Sequence, residues 1–251
     1  MTPNLLVLGG TTEATALCRV LAERGLQATI SFAGRVARPV RQPLPQRVGG
    51  FGGVNGLTGY LTAQNITHVV DATHPFAAQM SRNAMTACAR ADIPLVALTR
   101  SPWVADSGDR WACVPDMDAA VDALDRPKEH VMLAIGRMHL MDFAPHPQHF
   151  YLLRLVDPPE ITPPFPDHRI VVDRGPFSLQ GDLDLMRAHN ISLVVSKNSG
   201  GTGAYAKLLA ARQLDLPVIM IDRPQLPQRQ ELHSAEAVLD WIAHASTDLG
   251  V

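Results

Sequence analysis

Hydrophobic and polar positions along this chain fall into short blocks with two periods. Asn4–Leu8 (NLLVL) is a near-continuous apolar run, the pattern of a strand covered on both faces in a parallel sheet. Gly9-Gly10-Thr11-Thr12-Glu13 follows. Ala14, Leu17, Cys18, Leu21 and Ala22 then recur at helical spacing until Gly25 stops the helix. Leu26–Phe32 predicts a second strand. The Gly- and Pro-rich stretch Gly34–Gly59 leaves room for a short strand at Gln46–Val48 and a short helix at Leu57–Gln64. Thr67–Asp71 predicts a strand, Phe76–Arg90 a helix and Pro94–Leu98 another strand.

The second half repeats this grammar. Strands are predicted at Val131–Ile135, Arg169–Val172, Ile191–Ser196 and Val218–Ile221, with helices at Phe177–His189, Ala204–Gln213 and Ala235–Ala245. Strands alternating with helices of this length define an α/β protein with mainly parallel sheets flanked by helices. Ile66 through Asp71-Ala72-Thr73-His74-Pro75-Phe76 to Pro94–Arg100 and Ile191 through Ser196-Lys197-Asn198-Ser199-Gly200-Gly201 to Pro217–Arg223 share one order: strand, polar loop, helix, Pro-led strand, Arg. The echo suggests two related halves, although any two βαβ units look alike. We place the domains at 1–105 and 106–251, with Trp111–Val114 a strand that either half could own.

Composition narrows the classes. With 251 residues, 46% of them hydrophobic, the chain can bury a core in one large domain or in two of about 100–150 residues. A net charge of −2 gives no general attraction to nucleic acid or anionic membrane, so neither is expected as a partner. No apolar run approaches the roughly 20 residues of a membrane helix. Met1–Leu8 has no signal-peptide pattern. The three cysteines, Cys18, Cys88 and Cys113, form no CxxC pair, and their odd number argues for a reducing, cytoplasmic location. Cys18 and Cys88 fall on apolar helix faces as core thiols, and Met132, Met138 and Met141 read as packing residues.

Three loops carry the candidate chemistry. Gly9, Gly10, Thr11, Thr12 and Glu13 stand where a dinucleotide-binding turn belongs, and a helix start favours an anion there. The full G-x-G-x-x-G pattern is absent, because Thr11 and Ala14 occupy the later positions. No acid closes the second strand to hold a ribose 2′-OH. Arg35 follows it, with Arg38 and Arg41 close behind, which favours NADPH over NADH. Thr73 and His74 lie at the carboxyl end of a buried strand, where open α/β sheets bind ligands; Pro75 suits the first helical position, with Thr73 or His74 as cap. Lys197, Asn198, Ser199, Gly200, Gly201 and Thr202 form the third and most specific loop, dense in donors and not a Walker A sequence.

With these stretches the chain resembles the precorrin-6A reductases of cobalamin biosynthesis. Leu8–Ala14, Asp71–Phe76 and Lys197–Gly201 carry the resemblance, supported by Arg174–Phe177, Lys207–Arg212 and Pro217–Pro224. Thr12 and the Gly-rich run Gly49–Gly59 depart from the common form. The resemblance implies two Rossmann-like domains with cofactor and substrate in the cleft. It also implies hydride transfer from NADPH to one double bond of the precorrin-6A macrocycle, with no metal or flavin. On this reading Gly9, Gly10, Thr11, Thr12, Glu13, Arg35, Thr73 and His74 bind the cofactor. Arg38, Arg100, Arg137, Lys197, Asn198, Ser199, Gly200, Gly201 and Thr202 bind the polyanionic tetrapyrrole. The proton donor stays open among His74, Asp71, Lys197 and water.

Other chemistries are weaker. His139, His146 and His149 lack the register of a metal site, and no Tyr-x-x-x-Lys pair is present. Another NADPH-dependent reductase or epimerase on this fold, or a non-enzymatic NADP(H) sensor, are the competing readings. A sensor would not need the second glycine loop.

Overall fold

In the computed structural model, which describes residues 2–34, 41–159 and 161–245, each predicted strand is found in a parallel sheet, and the central ones are buried. The first unit holds β1 (Asn4–Leu8), α1 (Thr12–Glu23), β2 (Gln27–Phe32), β3 (Gln46–Val48), α2 (Gly53–Ala63), β4 (His68–Asp71), α3 (Ala78–Ala91) and β5 (Leu95–Leu98). The second holds β6 (Arg110–Val114), α4 (Met117–Asp122), β7 (His130–Ala134), β8 (Phe150–Leu155), β9 (His168–Val172), α5 (Leu179–Ala188), β10 (Leu193–Lys197), α6 (Ala206–Gln213) and β11 (Pro217–Ile221). The chain then returns to the first unit with β12 (Glu231–Leu232) and α7 (Ala235–Ala245).

Both sheets have six strands, with orders β12-β5-β4-β1-β2-β3 and β6-β11-β10-β7-β8-β9. Every pairing is parallel. Chain order and spatial order thus match between the units: a central strand, two successors on one side and two on the other. The sixth place is filled from elsewhere in the chain in each case. β6 follows β5 directly but adds to β11, whereas β12 follows β11 but adds to β5.

The units are therefore Met1–Arg100 with Gln225–Val251, and Ser101–Pro224. This corrects the expectation that 106–251 forms one domain. The returning segment belongs to the first unit because Glu231 and Leu232 pair with Ala97 and Leu98, and because Val238 and Ile242 of α7 join the core of Leu5, Val7, Leu17 and Leu21. The open question at Trp111–Val114 is answered by the pairing of β6 with β11 in the second unit.

In the first unit, α1 and α7 cover one sheet face; α2 and α3 cover the other through Leu57, Leu61, Ala84 and Cys88 against Leu6, Leu8 and Val69. Glycine in α2 is a packing requirement: a Cβ on Gly56 would stand 1.7 Å from the Phe51 carbonyl oxygen. In the second unit, Met132, Leu152, Val194, Val218 and Met220 meet Leu183 and Met186 of α5 and Leu208 and Ala211 of α6.

Several expectations shift. α3 begins at Ala78 without a side-chain cap, so neither Thr73 nor His74 caps it; a turn closed by Ala77 N–H on the His74 carbonyl (2.7 Å) intervenes. Met132 is buried as expected, but Met138 and Met141 are exposed.

Candidate functional site

Strand order reverses at β1 in the first sheet and at β7 in the second, and the helices after β1 and β4 pack on opposite faces. Such a switch point opens a crevice at the carboxyl ends of the strands. Gly9 and Gly10 leave β1 there. A side chain on Gly9 would meet Ile30 Cδ1 at 2.7 Å, while Gly10 is exposed with φ +137° and open space on its Cβ side. Thr11 caps α1: its hydroxyl accepts the Ala14 N–H (3.1 Å) and donates to the Ala72 carbonyl (2.9 Å). One side chain thereby fastens the loop after β1 to the loop after β4. The first-turn N–H groups of Thr12 and Glu13 have no intrahelical carbonyl to bind, which leaves them suited to an anion.

Glu13, expected at the cofactor, and Arg100, expected at the substrate, face each other in the first unit at 3.3 Å with mostly covered side chains. Thr73 turns its N–H (3.2 Å) and hydroxyl (2.7 Å) onto Asp71 Oδ1. His74 accepts the Phe76 N–H at Nδ1 (3.2 Å), which leaves Nε2 as the protonated nitrogen of the neutral ring. Arg35 and Arg38 lie outside the described residues. Inside them, the guanidinium of Arg47 on β3 donates to Ser31 Oγ, the Gly49 carbonyl and the Gly50 carbonyl, and stacks 3.8 Å above the Phe51 ring. Sequence reading passed over Arg47 because it sits in a three-residue strand inside the Gly-rich run.

In the second unit, Lys197 ends β10 and the loop follows with Gly200 and Gly201 at φ +69° and +71°. Asn198 is buried, and its amide is engaged in both senses by Trp103: Oδ1 accepts the Trp103 N–H (2.7 Å) and Nδ2 donates to its carbonyl (2.9 Å). The Trp103 indole N–H donates to the Gly201 carbonyl (2.7 Å), and Arg223 donates to the carbonyls of Asn198 and Ser199. These bonds tether the loop to the body of its unit. Thr202 is exposed beyond them. Arg137 is half-buried where the chain leaves β7. Near the carboxyl ends of β7–β9, Met138, Met141, Val156 and Val172 are between 47% and 62% exposed, an apolar rim that sequence periodicity did not suggest. Val156 follows Leu155, the register partner of Val172.

Among the described residues no group of three His, Cys, Asp or Glu is placed to hold a metal ion. Cysteine chemistry also stands apart from these loops. Burial pushes the Cys18 thiol up to about 11; burial, with the Asp71 charge, pushes Cys88 up to about 12. Only Cys113 is exposed. Alkylation of the native protein near neutral pH should label Cys113 alone, with Cys18 and Cys88 reacting only after denaturation, as read by peptide mass mapping.

Two doubly wound parallel sheets, one with a glycine exit and helix start at its switch point, define a Rossmann-like protein whose first loop is suited to an anion. The family model described as Precorrin-6x reductase CbiJ/CobK matches residues 4–243. The chain belongs to this family and is a reductase. It is 58% identical over 249 residues to the precorrin-6A reductase of Rhodobacter capsulatus, covering 99% of both chains. It is 45% identical to that of Sinorhizobium sp, covering 96% of this chain and 93% of the relative. A solved structure of CobK precorrin-6A reductase superposes with a TM-score of 0.93 at 57% identity, covering 96% of each chain. Among the described residues no helix is long and apolar enough to cross a membrane.

Proposed function

We propose that this chain reduces one double bond of precorrin-6A, giving precorrin-6B in cobalamin biosynthesis, with NADPH as the reductant. The observation that carries this reading is full-length similarity to relatives named for that activity, in a chain whose first unit presents a glycine exit and helix start at a switch point. NADPH supplies hydride when bound; a proton must also be delivered to complete the two-electron reduction.

The residues fit such a cofactor. Gly10 leaves open space beside the first turn of α1, where Thr12 and Glu13 offer N–H groups to a pyrophosphate. No carboxylate ends β2; Ser31 and Arg47 stand there instead, and Arg35 is assigned to the 2′-phosphate. Thr73 and His74 border the same crevice, where the His74 Nε2–H is a donor toward the cofactor.

For the macrocycle, Arg137 and Lys197 of the second unit offer cations to carboxylate arms. The loop Ser199–Thr202 supplies short polar groups. The exposed apolar rim of Met138, Val156 and Val172 offers a surface to the flat ring. Hydride transfer requires the nicotinamide and the acceptor carbon within about 3–3.5 Å, so the protein's main contribution is placement and exclusion of water.

Titration of the purified chain with NADPH and NADH, followed by addition of precorrin-6A, tests the proposal. NADPH should bind more tightly, and its oxidation should accompany an absorbance change of the ring. No oxidation in the presence of precorrin-6A, or preference for NADH, would overturn it. Lys197→Ala should raise KM for the ring several-fold; unchanged steady-state parameters would remove Lys197 from the site.

A further inference from the structure

Asp71 is the last residue of β4, and its carboxylate is almost wholly buried, with 1% of the side chain exposed. Burying a carboxylate costs several kcal/mol unless a cation and hydrogen bonds replace its water. Four donors do so here. Oδ1 accepts the Thr73 N–H and hydroxyl; Oδ2 accepts the Ser81 hydroxyl (2.6 Å) and a guanidinium N–H of Arg229 (2.7 Å). Ser81 anchors the carboxylate to α3. The cation comes from the returning segment, 158 residues away in sequence.

Arg229 is itself held in place. Its side chain is 10% exposed, and its Nε donates to Glu231 Oε1 at 3.1 Å. Glu231 opens β12, and the neighbouring backbone is fixed by Ala97 N–H on the Gln230 carbonyl and Thr99 N–H on the Leu232 carbonyl. Arg82 clamps the start of the same segment through the Gln225 carbonyl at 2.6 Å. Two residues of ladder make a weak strand, so the ion pair is a substantial part of what joins this segment to the carboxyl end of β4.

We infer that Arg229 is a positioning residue for the ligand loop after β4: by neutralising buried Asp71 it fixes the carboxylate that orients Thr73 and, one residue on, His74. The inference rests on the dinucleotide reading above for its consequence in binding, though not for its geometry. Arg229 needs no contact with the cofactor. Without it Asp71 is left charged and buried with neutral donors alone; the carboxylate then turns or draws in water, and the Thr73 N–H and hydroxyl lose their fixed acceptor.

The test compares wild type, Arg229→Gln, Arg229→Lys and the double variant Asp71→Asn/Arg229→Gln, each checked for folding by circular dichroism. Two readouts are taken: hydrogen exchange of the Thr73 amide without cofactor, and NADPH binding with KM and kcat. Arg229→Gln should speed Thr73 exchange and raise the NADPH Kd and KM about tenfold, with kcat at saturation within about twofold of wild type. Arg229→Lys, which keeps the charge, should recover part of both. The double variant should return Thr73 exchange and the NADPH Kd near wild type, because an amide oxygen at position 71 keeps the acceptor for Thr73 without a charge to neutralise. If Arg229→Gln does not fold, the Lys variant carries the same comparison. Thr73 exchange and NADPH Kd unchanged in a folded variant would overturn the inference, as would loss of kcat with KM unaltered. Failure of wild type to bind NADPH would overturn the dinucleotide reading instead, and Thr73 exchange would still decide the role of Arg229.

Discussion

Gly10→Ala should weaken NADPH binding at least about tenfold, close to 1.4 kcal/mol, while leaving the protein folded. At φ +137° the backbone of Gly10 occupies a region that side-chain-bearing residues rarely adopt. Forcing alanine into it costs about 1–3 kcal/mol. The space beside Gly10 is open, so no neighbour opposes a relaxation of the loop. The chain will relieve the strain by changing its path between β1 and α1, which moves the N–H groups of Thr12 and Glu13. Gly9→Ala makes the contrasting case. Its Cβ would meet the buried Ile30 side chain at 2.7 Å, so the cost falls on packing, about 1–3 kcal/mol of stability. Fluorescence titration and urea melts of both variants separate affinity from stability. A Gly10→Ala protein that binds NADPH as the parent does would remove this loop from the proposed cofactor site.

The second large effect is on stability of the second unit. Arg154 of β8 and Asp182 in the first turn of α5 form an ion pair with side chains only 6% and 2% exposed. The guanidinium also lies 3.7 Å from the centre of the Phe177 ring. Among the described residues Asp182 Oδ2 has no hydrogen-bond partner, which makes the arginine its principal compensation. Arg154→Leu should therefore cost about 3–5 kcal/mol, because it strands a buried carboxylate. The midpoint of thermal unfolding should fall by roughly ten degrees. The double replacement Arg154→Leu/Asp182→Leu should regain most of the loss, since well-packed apolar residues often match a buried ion pair. Equal losses in the single and double variants would mean that packing, not charge, dominates the site.

Legibility in the sequence followed the range of the interactions. β1, β4 and β10 were readable because a strand covered on both faces is apolar at nearly every position. The two glycine loops were readable because backbone that must turn sharply at a strand end needs glycine locally. β8 escaped, although FYLLRL is apolar, because the flanking His- and Pro-rich loop masks its start. α4 is six residues long, too short for its period to emerge. β12 has two residues and no pattern at all; its existence depends on the β5 edge that receives it.

Taken alone, the sequence determined the α/β class, most strand and helix positions, and the loops that carry the polar groups, since each depends on residues within about a turn or a strand length of one another. Only the tertiary structure decided which strands complete each sheet, that 225–251 returns to the first unit, and that Asn198 is held by Trp103 and Asp71 by Arg229. Those pairs lie 95 and 158 residues apart. Periodicity carries no record of distant partners, because what selects them is the burial of a charge or an amide that exists only once the sheets have formed.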